Sequence, residues 1–362
     1  MGIGGLGNCL LQLSCINHYD GKWITCISIS FVLVFLVMMI IKNITHPKVL
    51  HYELNEPLSV SLLTTFSMCL MLVAGFIGMW NNKDKTSANQ IVAAVVMCLA
   101  ILIQFIIIGF FVKSFIKNHI KSKHQHMYGS YFVPIVGLIT SCTVSHNVIA
   151  LPNEFFQAIW YFGYITFLIT LPIVTYSMLF KEKKVSDAQF PTVAIWFAPA
   201  NLTCAGFLRT FLLSPQTYYP KAYLNIIFIL TTMMGFVTTL ILYLYVTRIF
   251  VLRKRSQTKN FAPILCSLSF PCAIGATSMV WAAKYLASQN PLVINKIIPI
   301  WKIEGNDLIS SSAWFFGVVG IIFATVTTII IGYLLFNMIK FGIKILFTKQ
   351  KDDQHHEIYL KK

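Results

Sequence analysis

Uncharged apolar runs, separated by short polar stretches, divide the chain almost from end to end. Nine of them, at 23–41, 58–80, 88–112, 128–153, 155–180, 191–208, 223–247, 261–283 and 308–339, are long enough to cross a bilayer. Each is expected to be a helix, because lipid offers a peptide group no hydrogen-bond partner. A tenth run, 2–16, is shorter. At 1.5 Å per residue it reaches about 22 Å, against a hydrocarbon core of about 30 Å. It has neither the basic start nor the Ala-x-Ala site of a signal peptide, so it reads as a first span whose beginning is missing or unusually short.

Polar and proline positions sort the ten runs into two kinds. Pro57, Pro134, Pro191 with Pro199, and Pro263 with Pro271 open or interrupt odd-numbered runs, whereas only Pro172 lies inside an even one. A proline removes one helical hydrogen bond, and the freed carbonyl is tolerated where it faces protein or a cavity. The odd runs also carry most of the conspicuous polar side chains: Asn8, Gln12, Ser61, Thr64, Thr65, Thr140, Ser141, Asn201, Thr203, Ser267 and Ser269. The even runs are mostly aliphatic and aromatic. The pattern predicts an all-α polytopic membrane protein of ten transmembrane helices, paired as five hairpins with odd helices inward and even helices outward. One membrane domain spans 1–347, and a short tail follows at 348–362.

Charge sets the orientation. Of the 28 Lys and Arg residues, 20 follow even-numbered runs, which places both termini in the cytoplasm by the positive-inside rule. The net charge of +16 is distributed over these short loops, as a membrane surface requires and a nucleic-acid groove does not. Only 11% of residues are charged, against about 25% in soluble domains.

Catalytic chemistry finds no support in the residue pattern. No Asp or Glu lies in the middle of a run, no HExxH or GxSxG occurs, and the nine cysteines include no CxxC pair. No enzyme, metal site, cofactor or disulfide framework is therefore expected. The missing intramembrane carboxylates also speak against a cation path. A pathway lined by hydroxyls, amides and kinked-helix backbone suits an anion. The candidate lining is Ser61, Thr64, Thr65, Thr140, Ser141, Pro199, Asn201, Ser267 and Ser269. Arg209, near the outer end of its run, either snorkels to the interface or attracts anions at the outer mouth. Lys284 ends its run as an interfacial residue. His146 reads as a helix-packing histidine and is the one central candidate for a proton-coupled mechanism.

Three stretches resemble the tellurite-resistance/dicarboxylate transporter family, which includes the plant slow anion channels. They are FAPILCSLSFPCAIGATSM from Phe261, HPKVLHYELNEPLSVSLLTTFSMCLMLVAG from His46, and GIGGLGNCL from Gly2. The resemblance implies a quasi-fivefold bundle around a central pore lined by the odd helices, assembled as a homotrimer with one pore per protomer. It further implies a plugging phenylalanine on the ninth helix, here Phe270 followed by Pro271. Implied substrates are small inorganic or organic anions: chloride, nitrate, sulfite, and malate-type C4-dicarboxylates. Thr64 departs from the proline that bacterial relatives often carry. The leading expectation is passive anion transport in the cell membrane. The alternatives are a proton-coupled dicarboxylate carrier or sulfite- or tellurite-related exporter of the same fold, and a non-transporting scaffold or sensor. A reporter active only outside the cytosol, fused after Lys362, is expected to stay silent, and a strong signal there would reverse the orientation.

Overall fold

The computed structural model describes residues 1–12, 18–80, 84–121, 127–180, 190–213, 219–255, 263–289 and 308–347. The expected tail at 348–362 and the end of the first run lie outside the described residues. Within them the chain is helical, with no strand. Seven helices are long and apolar enough to cross a membrane, and the chain is a multi-pass membrane protein.

Five long helices correspond to the even runs: α2 (His18–Thr45), α6 (Ala88–Lys121), α9 (Asn153–Phe180), α11 (Lys221–Arg255) and α13 (Leu308–Phe347). Their large apolar side chains stay uncovered, for example Ile41, Leu102, Ile169, Leu244 and Ile329. Only 28–39% of the apolar window of each is buried. In water such surface would collapse, whereas in lipid it is the solvated face.

The segments between them are shorter and broken. They comprise α1 (Gly2–Gln12), the pair α4 (Pro57–Leu63) and α5 (Thr65–Met79), the short turns α7 (Val133–Val136) and α8 (Ile139–Thr143), α10 (Ala198–Phe207), and α12 (Ser269–Ser288). A further short helix, α3 (Pro47–Asn55), links α2 to α4. The windows containing α4–α5 and α12 are 61% and 78% buried, and every residue of α10 is buried. The inward–outward division expected from the polar pattern is therefore present in the burial.

One expectation changes. The run 128–153 is not a single helix but a chain of turns: a 3₁₀ turn at Gly129–Phe132, then α7, α8, and a second 3₁₀ turn at Ser145–Asn147. The 191–208 run likewise begins as a 3₁₀ segment, Phe190–Phe197, before α10, and passes into a π turn at Leu208–Leu212. Proline accounts for part of this, since Pro134 and Pro199 cannot donate to the preceding turn. Hydroxyl side chains contribute as well. Ser61, Thr64, Thr65, Ser67, Ser141, Thr143, Ser145, Thr203 and Ser269 each donate to the carbonyl three residues back. Such back-bonding favours tightened turns over a regular helix.

Neighbouring helices answer the carbonyls that these breaks release. Gln104 of α6 is fully buried and donates to the carbonyl of Pro134 at 2.5 Å, while its Oε1 accepts from Ser67. About four turns earlier on the same helix, Gln90 donates to the carbonyls of Gly78 and Asn147 at 2.7 and 2.9 Å. The second bridge needs glycine at 78, where an added Cβ would stand 2.1 Å from the Asn147 carbonyl oxygen. Thr327 of α13 donates to Cys272 in the α12 kink at 3.2 Å.

Packing follows chain order and also closes on itself. Each inward segment packs on the outer helix that follows it: α1 on α2, α5 on α6, α8 on α9, α10 on α11, and α12 on α13. Inward segments also touch one another, α1 against α12, α12 against α10, α10 against α8, α8 against α5, and α5 against α1. The glycines of α1 permit its approach, since a Cβ on Gly5 would lie 3.3 Å from Ala273 of α12. Between α9 and α10, Trp160 stacks on Tyr164 at 4.7 Å, borders Phe207 and Phe211, and donates its Nε1 to the Thr203 carbonyl. Gln104→Leu keeps the volume but leaves the Pro134 carbonyl unanswered, while Ser67 keeps only its bond to the Thr64 carbonyl. It is expected to cost about 1–2 kcal/mol, read as a lowered Tm in detergent. An unchanged Tm would mean that water supplies those bonds.

Candidate functional site

A cavity of about 440 Å³ opens at the end of the bundle where α12 begins. Its wall draws on every inward segment: Ile3 from α1, Thr65 and Met68 from α5, Val133 from α7, Ile195 before α10, and Phe270 with Pro271 in α12. Two outer helices complete it with apolar side chains, including Leu36 of α2 and Leu334 of α13. No carboxylate is among the lining residues.

Phe270 is half-buried and packs at the edge of the main apolar cluster. Among the described residues it makes no ring–ring contact, whereas Trp160, Phe207 and Phe211 pack against several rings each. A core aromatic in so Phe-rich a chain ordinarily acquires such neighbours. The local geometry explains its position. The 3₁₀ turn Pro263–Leu268 leads into α12, Ser269 donates to the Cys266 carbonyl at 2.6 Å, and Pro271 occupies the first turn of the helix. The benzyl group is thus held at a helix start, where tight turns leave it room, rather than within a regular packed face.

The polar residues expected to line the path divide into two groups. Thr65, Ser267, Ser269, Phe270 and Pro271 share the cavity wall. Ser61, Thr64, Thr140, Ser141, Pro199 and Asn201 are buried away from it. Asn201 knots three helices together. Its Nδ2 donates to the Phe197 carbonyl and to Thr238, and its Oδ1 accepts from Thr239 at 3.0 Å and Ser278 at 2.8 Å. Ser61 hydrogen-bonds Ser130 at 3.0 Å. Thr140 is different, because its buried hydroxyl has no partner.

Arg209 follows α10 directly. It sits on the π turn with its Nε buried, and its guanidinium carbon lies 5.3 Å from the centre of the Trp281 ring. His146 is not a packing residue within a helix but stands exposed on the turn Ser145–Asn147. Lys284 is half-buried near the end of α12. Since α12 rises about 1.5 Å per residue, Lys284 and Phe270 are about 21 Å apart along its axis. Lys284 and the Phe270 cavity therefore lie toward opposite ends of α12.

Gln90 and Gln104, which hold the broken segments, went unnoticed in the sequence, although a lone amide in an aliphatic run is a visible signal. The apolar contributions of α2 and α13 to the cavity left none, because a pore-facing Leu and a lipid-facing Leu look alike.

Lipid-facing outer helices around broken, buried inner segments, with a carboxylate-free cavity among the latter, define a multi-pass membrane protein of the transport type. The sequence profile of the voltage-dependent anion channel (SLAC1) family matches residues 1–339, and the chain belongs to that family. A search of curated proteins found no match.

The two polar groups predict different responses. Asn201→Leu is expected to lower stability by about 1–3 kcal/mol, leaving the preference among anions unaltered. Thr65→Val should shift stability by less than about 0.5 kcal/mol yet change anion flux. Paired Tm and proteoliposome flux measurements check both, and an altered anion preference in Asn201→Leu at unchanged Tm would reverse the assignment.

Proposed function

We propose that the protein passes small anions across the cell membrane along a path enclosed by its five inward segments, and that Phe270 closes this path. Ten spans in five hairpins, arranged with quasi-fivefold symmetry, form one protomer of a trimer. Each protomer has its own path, and both termini lie in the cytoplasm. The observation that carries the reading is the cavity whose wall takes residues from all five inward segments and includes Phe270. The closed circuit of contacts from α1 through α12, α10, α8 and α5 back to α1 supports the fivefold arrangement. Membership of an anion-channel family supports the substrate class.

The physical action of the gate is exclusion of water. A benzyl group in a narrow apolar passage denies an ion its hydration shell, and a dewetted constriction blocks conduction without any opposing charge. The wall supplies little to replace that hydration, since Ile3, Met68, Val133 and Ile195 are all apolar and its polar side chains are a few hydroxyls such as Thr65, Ser267 and Ser269. Opening then requires only that one ring move. Because Phe270 makes no ring–ring contact among the described residues and packs only at the edge of the apolar cluster, little packing opposes such a movement.

Phe270→Ala is expected to raise anion flux into proteoliposomes with little change in Tm, because water refills the vacated volume. A packed core aromatic would instead cost about 3–5 kcal/mol and leave flux flat or reduced. A panel of chloride, nitrate, sulfite and malate, run at two pH values, separates passive conduction from proton-coupled dicarboxylate transport.

A further inference from the structure

The cavity beside Phe270 is walled in part by two helices that otherwise face lipid. From α2 it takes Val32, Leu36 and Met39, and from α13 it takes Ile331, Leu334 and Met338, one helical stripe of each. Both stripes lie within the membrane-crossing stretches Trp23–Thr45 and Ser311–Phe341. Val32, Leu36, Ile331 and Leu334 are buried. On the same wall Phe35 is exposed, and Met39, Leu335 and Met338 are half-buried. A residue that lines the cavity and is also exposed on a lipid-facing helix marks where the cavity meets the bilayer. The inward segment α1 packs on both α2 and α13, so these two helices flank the opening.

Nothing in the wall calls for a polar occupant. Thr65 donates to the Leu62 carbonyl at 2.7 Å and Ser269 to that of Cys266 at 2.6 Å, while Thr192 and Ser267 have interactions of their own. None of the buried polar atoms that lack a hydrogen bond among the described residues lies in this wall. An apolar guest therefore strands no donor or acceptor. Apolar cavities resist water, and one of about 150 Å³ lined by aliphatic and aromatic side chains stays dry and takes up benzene. This cavity, at about 440 Å³, has the size of sites that hold apolar ligands. Left empty, it forfeits dispersion contacts over its whole lining. Met39, Met68 and Met338 add unbranched, polarizable side chains that can follow a flexible guest. A lipid tail enters without any cost of dehydration, because hydrocarbon is exchanged for hydrocarbon. Tails are also the guest already present at the opening.

We propose that the cavity seats one acyl chain of a membrane phospholipid, which enters from the bilayer between α2 and α13 and lies alongside Phe270. A seated chain fills the space into which the Phe270 ring would turn and which a hydrated ion would need. Lipid and conduction thus exclude each other. This blocking action rests on the transport reading, whereas occupancy by the chain does not.

Photolabelling of the full chain in liposomes tests the site. The probe is a phosphatidylcholine with a diazirine near the end of one acyl chain, and labelled residues are mapped by mass spectrometry. Labels are expected on Leu36, Met68 and Leu334, which are buried, as well as on outward residues such as Leu102 and Leu244. Leu335→Trp narrows the opening and is expected to reduce the inner labels several-fold while leaving the outer ones unchanged. Phe35→Ala widens it and should increase the inner labels, which keeps the test open if the tryptophan variant does not fold. Labels confined to outward residues, or inner labels indifferent to both substitutions, would overturn the site. Inner labelling by a free diazirine fatty acid but not by the phospholipid would overturn the lipid as occupant. Nitrate flux tests the blocking action. In Phe270→Ala, irradiation with the probe is expected to reduce flux in proportion to the fraction of protein labelled inside, and undiminished flux at high labelling would overturn the block. Inner labels with no flux in either the wild type or Phe270→Ala before irradiation would leave the site standing and defeat the transport reading. Flux without inner labels would do the reverse.

Discussion

A peptide carbonyl with no donor is among the costliest defects a membrane protein can carry, and the whole arrangement of this chain follows from that cost. The inward segments are interrupted at Pro134, at Pro199 and at the tight turns before α10 and α12, and each interruption frees carbonyls. The amides of Gln104 and Gln90 and the hydroxyl of Thr327 reach in from α6 and α13 to answer them. Irregular backbone is thereby confined to the interior, where it has partners, and the lipid meets only regular helix. The outer helices accordingly do more than screen the bundle from hydrocarbon, since they supply hydrogen bonds that keep the inner segments folded in an irregular form.

Two kinds of polar group follow from this division. Those that hold helices together, such as Asn201 among Phe197, Thr238, Thr239 and Ser278, have their donors and acceptors committed. Those left with uncommitted donors, Thr140, Arg209 and Trp281, lie on the inward segments α8, the π turn and α12. Phe270 stands apart from both. It is placed by a proline-bounded helix start and, among the described residues, lacks the stacked ring partners that fix Trp160.

Much of this architecture was legible in the sequence because lipid enforces simple rules. Uncharged runs of bilayer length marked the long helices, and the bias of proline and hydroxyl residues toward odd runs foretold which segments are buried. The internal form of the 128–153 run was not legible, since Pro134 announces one break whereas the chain there makes several turns. Side-chain direction was legible only in part. Thr64 and Thr65 are adjacent and chemically identical, yet only Thr65 reaches the cavity, because one residue on a helix turns the side chain by about 100°. The direction of Arg209 was not legible for a similar reason. Residue type reveals that an arginine near a span end can reach the interface, but the π turn beneath it aims the guanidinium onto Trp281.

That π turn carries an evolutionary consequence. A π turn holds about one residue more than the α turn it replaces, and it is most simply made by a single-residue insertion into a regular helix. Loss of one residue between Leu208 and Leu212 would therefore regularise the helix instead of breaking it. The same loss would turn the residues on one side of it by about 100° relative to those on the other and so disturb the contact of Arg209 with Trp281. A lineage could discard this contact in one deletion, at little cost to the bundle, and a shortened helix at this point would be its record.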